Sequence, residues 1–456
     1  MATAFAPKDR AAPSSSRAGL VLFVTQITAA MMNLPISVIL ARVLGPSDLG
    51  HYQFIYRASL IAVSLGCYGY PHALAWASAR SASPAADALI WRATLRTALL
   101  AGVAMGLISL IVSVLFKYHP GGMLAWLIIA LFPMFNLLGA NIVNFERGKL
   151  HVREVSIIRL AQTAIWLLVT VAFLISGTLS LLAAVIALVF SQAVGAILGL
   201  SVGFRHKYAL TPILERTPRA ITDFASKAFL GIAVRDLNVY LDQMVIALFL
   251  PPAELGVYAV SVSLTATIGL LSSPITNTVQ PLLQRAPVSA RPSAVAAALA
   301  AALLVLSAPA LLLAVLAPVY VPWVYGAAYS QSIELIQVLA IASLIDGLNA
   351  CSHGILLGLG RPSKSSVSAV VGLVCTALML AALVPTVGVM GAAVTSVVAY
   401  AVVLMFMLKS IAREVDLSTI ALVLRTARSM PYVAIRGIRG VRSRTFNRRG
   451  GVPARG

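Results

Sequence analysis

Residues 43–54 read VLGPSDLGHYQF, closing one long apolar run and opening another. Residues 249–260 read FLPPAELGVYAV. Shifted by 206 positions, Pro46 falls on Pro252, Asp48 on Glu254, Leu49 on Leu255, Gly50 on Gly256 and Tyr52 on Tyr258. Five of the seven positions from Pro46 to Tyr52 are identical or similar, and both copies lie between apolar runs, which marks an internal repeat. Pro and Gly stop a helix and turn the chain. Asp48 and Glu254 then start the returning helix, where the helix dipole favours an anion. Tyr52 and Tyr258 are expected at the water–lipid boundary. A chain that makes one turn twice, half its length apart, is built from two halves.

Composition says what kind of halves. The 456 residues are 60% hydrophobic and only 11% charged. Many apolar runs reach the ~20 residues that a bilayer span requires. They are continuous and do not alternate with period two, which excludes an outer-membrane barrel. The expected fold is all-α and polytopic, with about twelve spans at 21–43, 55–77, 94–116, 123–145, 155–176, 179–203, 229–250, 257–280, 296–317, 333–358, 367–387 and 390–408. They group as an N-terminal tail (1–19), a six-helix half (20–203), a linker (204–228), a second six-helix half (229–408) and a basic tail (409–456). The two halves are expected around a central cavity. The first apolar run continues to Val43, longer than a signal-peptide core, so it reads as a retained span.

The net charge is +20, and Lys and Arg set the orientation. With the N-terminus in the cytoplasm, 29 of the 34 Lys and Arg fall on inner segments and only Arg42, Arg57 and Lys117 on outer ends. Without the tail the bias is still 18 against 3. Both termini are expected in the cytoplasm. Six spans per half is even, so the halves enter alike, as parallel repeats about an axis along the membrane normal. A weaker echo, RGK at 147–149 and GR at 360–361, follows the fourth span of each half. In the tail, AREVDLSTIALVLRTARSM reads as an amphipathic surface helix, and the Gly/Arg-rich end as a segment attracted to anionic lipid. No aromatic-rich basic motif points to nucleic acid.

Charge inside a span costs ~2.5–3.5 kcal/mol and needs a reason. The seventh span carries RDLNVYLD, placing Arg235, Asn238 and Asp242 on one helical face. Arg235 and Asp242 are ~10 Å apart along the axis, too far to pair directly. The tenth span holds Asp346 and Asn349. These residues either face a water-filled cavity or make interhelical hydrogen bonds. Arg42 and Arg57 flank the first outer turn, where an arginine either binds a pyrophosphate or snorkels to the interface. Asn33 and Pro35 lie midway along the first span, where Pro is expected to kink the helix. Cys67, Cys351 and Cys375 read as small buried hydrophobes and fit no metal motif. His119 stands alone and reads as structural. No acidic diphosphate cluster, HExxH or Walker A occurs, and no cofactor is legible.

These residues also carry a resemblance. ARVLGPSDLGHYQF at 41–54 resembles the first-loop signature of the polysaccharide (Wzx-type) flippases of the multidrug/oligosaccharidyl-lipid/polysaccharide exporter superfamily. LDQMVIALFLPPAELGVYAVSVSL at 241–264 is similar to their seventh-span region, with Asp242 at its acidic position. VQPLLQR (279–285), GILLGLGRPSKSS (354–366) and LVPTVGVMGAAVTSVVAY (383–400) resemble their later spans. The resemblance implies a flippase that turns polyprenyl-pyrophosphate-linked sugar units to the outer leaflet of a bacterial inner membrane. A polysaccharide polymerase and glycosyltransferases are the partners it implies. The competing readings are a multidrug exporter of the same superfamily, a membrane enzyme on polyprenyl-linked sugars, and a non-transporting envelope assembly protein.

Overall fold

The computed structural model describes residues 15–81, 83–115, 121–206, 208 and 217–432. Fourteen α-helices of this region follow one another: α1 (Ser15–Cys67), α2 (Tyr70–Arg80), α3 (Pro84–Leu115), α4 (Gly122–Ile129), α5 (Phe132–Gly148), α6 (Val152–Ile175), α7 (Leu181–Arg205), α8 (Arg219–Phe249), α9 (Pro252–Leu270), α10 (Ser272–Arg285), α11 (Arg291–Val324), α12 (Ser332–Gly358), α13 (Pro362–Val387) and α14 (Val389–Glu414). A further helix, α15, covers 419–432. Among the described residues there is no strand.

Ten segments are long and apolar enough to cross a membrane. One of them, Gly19–Cys67, is two spans merged across the turn at Gly45, where the backbone leaves the helix (φ 71°, ψ 174°). α8 is the remaining long helix, and the five charges from Asp223 to Asp242 keep its hydropathy low. Counted this way, the twelve expected spans are present.

Their ends differ from expectation at definite places. The break within α1 falls at Gly45, whereas Pro35 sits inside helical backbone. The expected second span breaks at Tyr68 and Gly69, both with positive φ, before α2 resumes. The fourth breaks between α4 and α5, where Pro133 opens the second piece, as Pro is accommodated in a helix's first turn. α11 continues past Pro309 and Pro318. α8 starts at Arg219, inside the expected linker, and α15 lies inside the expected tail.

The chain divides into two compact units. One comprises Met1–Leu264, Val319–Ser332 and Ala377–Ala392. Its core gathers Ala73, Leu74, Ile90, Trp91, Phe145, Val155, Ile158 and Ala196. The other comprises Thr265–Pro318, Ile333–Thr376 and Ala393–Gly456, with a core of Leu283, Val295, Leu306, Cys351, Ile355, Ile411 and Leu422. In both, the outward faces of long helices carry large apolar side chains. Leu107, Ile111 and Leu115 of α3 and Leu311, Val315 and Val319 of α11 are exposed, the pattern of a surface solvated by lipid. A Cβ on Gly102 or Gly106 would run into the backbone of Met134 or Ala130, so α3 lies directly on the α4–α5 pair. α12 meets α10 in the same way, at Gly354 and Gly358.

The repeated turns occupy one unit and touch each other. A Cβ on Gly50 would land on the carbonyl of Pro252, and one on Gly256 on the carbonyl of Pro46. Each glycine of the repeat thus makes room for the proline of the other copy. Glu254 sits in the first turn of α9, as expected. The tyrosines are not exposed to water or lipid: Tyr52 and Tyr258 are among the largest fully buried side chains. The close approach of the two turns encloses the residues two positions after each glycine. The weaker echo is a shared helix stop. His151 N–H bonds Glu146 C=O (3.0 Å) after Leu150 at φ 61°, and Arg361 N–H bonds Leu356 C=O (2.8 Å) after Gly360 at φ 77°. Both close a helix end with a left-handed residue followed by a six-to-one bond.

α15 is amphipathic. Leu422 is fully buried, whereas Ile420, Val423 and Leu424 are exposed alongside Arg425 and Arg428. The basic residues after Tyr432 lie outside the described residues, as does His119.

Candidate functional site

The polar residues of α8 are held by two neighbouring helices of the first unit, α1 and α9. Tyr258 of α9 donates its hydroxyl to Asp242 Oδ2 at 2.6 Å, and the Gln243 amide N–H reaches Asp242 Oδ1 at 2.7 Å. Asp242 is half-buried. Gln243, almost fully buried, accepts at Oε1 from Arg57 Nε of α1 at 2.8 Å. The Arg57 guanidinium lies over the rings of Tyr56 (5.3 Å) and Tyr240 (5.6 Å). Less than two turns earlier in α8, Asp236 Oδ2 accepts from Ser64 Oγ of α1 at 2.9 Å. Between α1 and α9, Ser37 and Ser263 hydroxyls lie 3.3 Å apart. A cation, two carboxylates and an amide are therefore strung along the α1–α8 contact, with the carboxylate of Asp242 turned toward α9.

The arginine is placed by ring faces on one side and an amide on the other. Guanidinium suits this role, because it is weakly hydrated and stacks on aromatic faces. Its remaining N–H groups can still meet an anion. Next to it, Tyr56 packs edge-on against Phe132 (5.8 Å) and Trp166 (6.4 Å).

Arg42 is used differently. It is exposed, and its guanidinium donates to two carbonyls at the C-terminus of α11: Val324 O at 2.6 Å from Nε, and Trp323 O from Nη2. Nearby, Tyr329 donates its hydroxyl to Ala41 O at 2.9 Å. Arg42 is thus a cap on orphan carbonyls, which a cation also favours through the helix dipole. In this structure its Nε and Nη2 are engaged by these carbonyls.

The other expected site residues fall in both units. Asn33 is exposed on α1. Asn238 has a buried Oδ1 with no partner among the described residues. The side chain of Arg235 lies outside the described residues. Asp346 and Asn349 belong to the second unit, where Asp346 is exposed and Asn349 donates to Tyr400 O at 3.1 Å. Asp242 and Arg57 are both singled out by the sequence, and the structure joins each of them to Gln243. Asp236, Gln243 and Tyr258 were not singled out as site residues. For Asp236 the signal was present, a second intramembrane carboxylate in RDLNVYLD. Cys67 and Cys351 are buried and free, as expected, while Cys375 is partly exposed.

Long apolar helices, two repeated turns that touch and a polar network between α1, α8 and α9 make this an all-α polytopic membrane fold. A structure titled "Lipid II flippase MurJ, inward closed conformation" is similar with a TM-score of 0.72 at 12% identity, covering 92% of this chain and 91% of that one. An inward-facing multidrug resistance MATE family transporter of the MOP superfamily gives 0.67 at 14%, covering 85% and 95%. An outward-facing structure of a multidrug resistance MATE family transporter gives 0.62 at 14%, covering 88% and 95%. The chain itself belongs to the family described as polysaccharide biosynthesis protein, whose match runs over residues 16–287. That match includes both copies of the repeated turn and all of α8, the residues on which the sequence resemblance chiefly rested. No curated protein sequence matches the chain.

Proposed function

We propose that this protein is a flippase that carries polyprenyl-pyrophosphate-linked oligosaccharide units from the inner to the outer leaflet of a bacterial inner membrane, by alternating access. The observation that carries the reading is the Arg57–Gln243 and Asp242–Tyr258 strand in a member of a polysaccharide biosynthesis family. A pyrophosphate needs a cation that stays charged in poor solvent, and Arg57 is such a cation, held ready by ring faces. Asp242 is the candidate ion-coupling carboxylate, and Tyr258 aims it. The positive-inside bias supports an outer position for the repeated turns. There, Arg42 on Val324 and Trp323, and Tyr329 on Ala41, act as a latch that must part when the path opens outward.

The polymerase and glycosyltransferases that make and consume such a unit are the partners this reading implies. A multidrug exporter is the second reading, favoured by the aromatic cluster of Tyr56, Phe132 and Trp166 and by the likeness to multidrug resistance transporters. The test is reconstitution in proteoliposomes with a short-chain polyprenyl-pyrophosphoryl sugar, read as its accessibility to a glycosyltransferase added outside. Protein-dependent exposure of the lipid-linked sugar, competed by a pyrophosphate analogue and not by a lipophilic cationic dye, is expected. Transport of the dye with no movement of the sugar lipid would select the exporter instead.

A further inference from the structure

Three helix ends in the first unit meet at a group of side chains that the transport path does not use. Glu146 is in the last turn of α5, His151 stands just before α6, and His206 follows the end of α7. From each residue one ligand atom can be taken so that all three lie within 4.8 Å of one another. We propose that Glu146, His151 and His206 form a binding site for a divalent transition cation of the zinc class, clamping the α5–α6 turn to the end of α7.

The donor set is the first argument. Two imidazoles and a carboxylate suit zinc and its neighbours, and leave a fourth position for water. The second argument is the state of Glu146. Its side chain is fully buried, yet Oε1 has no hydrogen-bond partner among the described residues. Its other oxygen, Oε2, lies 2.6 Å from His151 Nδ1. A buried carboxylate with one idle oxygen is costly unless a positive group compensates it. A proton on His151 supplies one such charge; a dication supplies two and engages the imidazoles as well.

The third argument is that aromatic packing keeps both histidines beside Glu146. The rings of His151 and His206 stack, with centroids 4.6 Å apart and planes at 14°. Tyr208 stacks on His206 at 5.5 Å, and is itself packed against Trp91 and Phe145. His151 is held at the backbone by its N–H to Glu146 C=O, after the left-handed Leu150. Ligand atoms around a tetrahedral zinc are roughly 3.3 Å apart. Closing the gap requires His206, whose side chain is exposed, to turn out of its stack on His151 and Tyr208 so that its ring nitrogen faces the carboxylate. The C-terminal ends of α5 and α7 add partial negative charge. Of the nearby cations, Lys149 is engaged with Asp87. Sequence spacing hides the site, because the first two ligands are five residues apart and the third lies a full helical hairpin later.

The experiment is a Co²⁺ titration of the full-length protein, purified through a histidine-free tag in detergent, read by visible ligand-field absorption and then by Zn²⁺ displacement. One equivalent of Co²⁺ should give a visible band that Zn²⁺ abolishes. His206→Ala should weaken binding at least tenfold and change the band, as should Glu146→Gln. His206 is exposed and its variant tests the site even if Glu146→Gln fails to fold. The proposal is overturned if the wild type shows no saturable band. It is equally overturned if the band and affinity survive in His206→Ala, which would place the metal on other histidines. Either result stands apart from the transport reading.

Discussion

At the residue scale, the arrangement around Asp242 separates charge from shape. Tyr258 donates to one oxygen and the Gln243 N–H reaches the other, so an amide in place of the carboxylate keeps the bond from Tyr258 through its oxygen and loses the one from Gln243 N–H. Asp242→Asn is expected to insert and fold as the parent does, yet to lose lipid-linked sugar transport by at least tenfold. Tyr258→Phe should lower transport less, because the charge remains and only its aim is lost. Interhelical hydrogen bonds in membranes average only ~0.6 kcal/mol, so neither variant should unfold the protein. The measurement is transport normalised to folded protein, with monodispersity on size exclusion as the folding control. Parent-level transport in both variants would reduce this network to helix glue.

At the scale of elements, the protein is held by glycines that admit another backbone. Gly50 and Gly256 meet the Pro252 and Pro46 carbonyls reciprocally. A Cβ at either place has no flexible side chain to push aside, and overpacking of this kind costs ~1–3 kcal/mol. Gly50→Ala and Gly256→Ala should each lower the thermal midpoint in detergent, and by similar amounts, because the contact is repeated. A control at Gly139, where a Cβ meets nothing, should not lower the midpoint. A rise is expected at Leu150. This residue is half-exposed at φ 61°. Such a conformation costs a non-glycine residue ~1–2 kcal/mol. Leu150→Gly should raise the midpoint, since the lost side chain buries little. A fall would show that its contacts outweigh its backbone strain.

At the scale of the whole molecule, the distribution of Lys and Arg predicts the orientation. Ser293 and Ser330 are both exposed and lie at opposite ends of α11 and its following turn. In a cysteine-free background, Ser330→Cys should react with an impermeant maleimide from outside intact spheroplasts, and Ser293→Cys only after permeabilisation. The reverse labelling would invert the assigned topology, and with it the placing of the Arg42 latch on the outer side.

The sequence by itself determined the class of fold, the number of spans, and the repeat. These rest on properties that act locally: apolar length against bilayer thickness, Pro and Gly against helix continuation, and Lys and Arg against the membrane potential. Asp242 and Arg57 were visible for the same reason, since a charge in or beside a span is conspicuous without any partner. What those groups touch was decided only by tertiary structure. Tyr258 reads as an interfacial tyrosine until the two turns pack together and bury it. Arg42 and Arg57 look alike in sequence, yet one caps α11 and the other joins α8 through Gln243. Glu146, His151 and His206 share no motif, because helix ends far apart in the chain bring them together. Pairing of this kind depends on which helix lies beside which, and single-chain periodicity carries no record of neighbours.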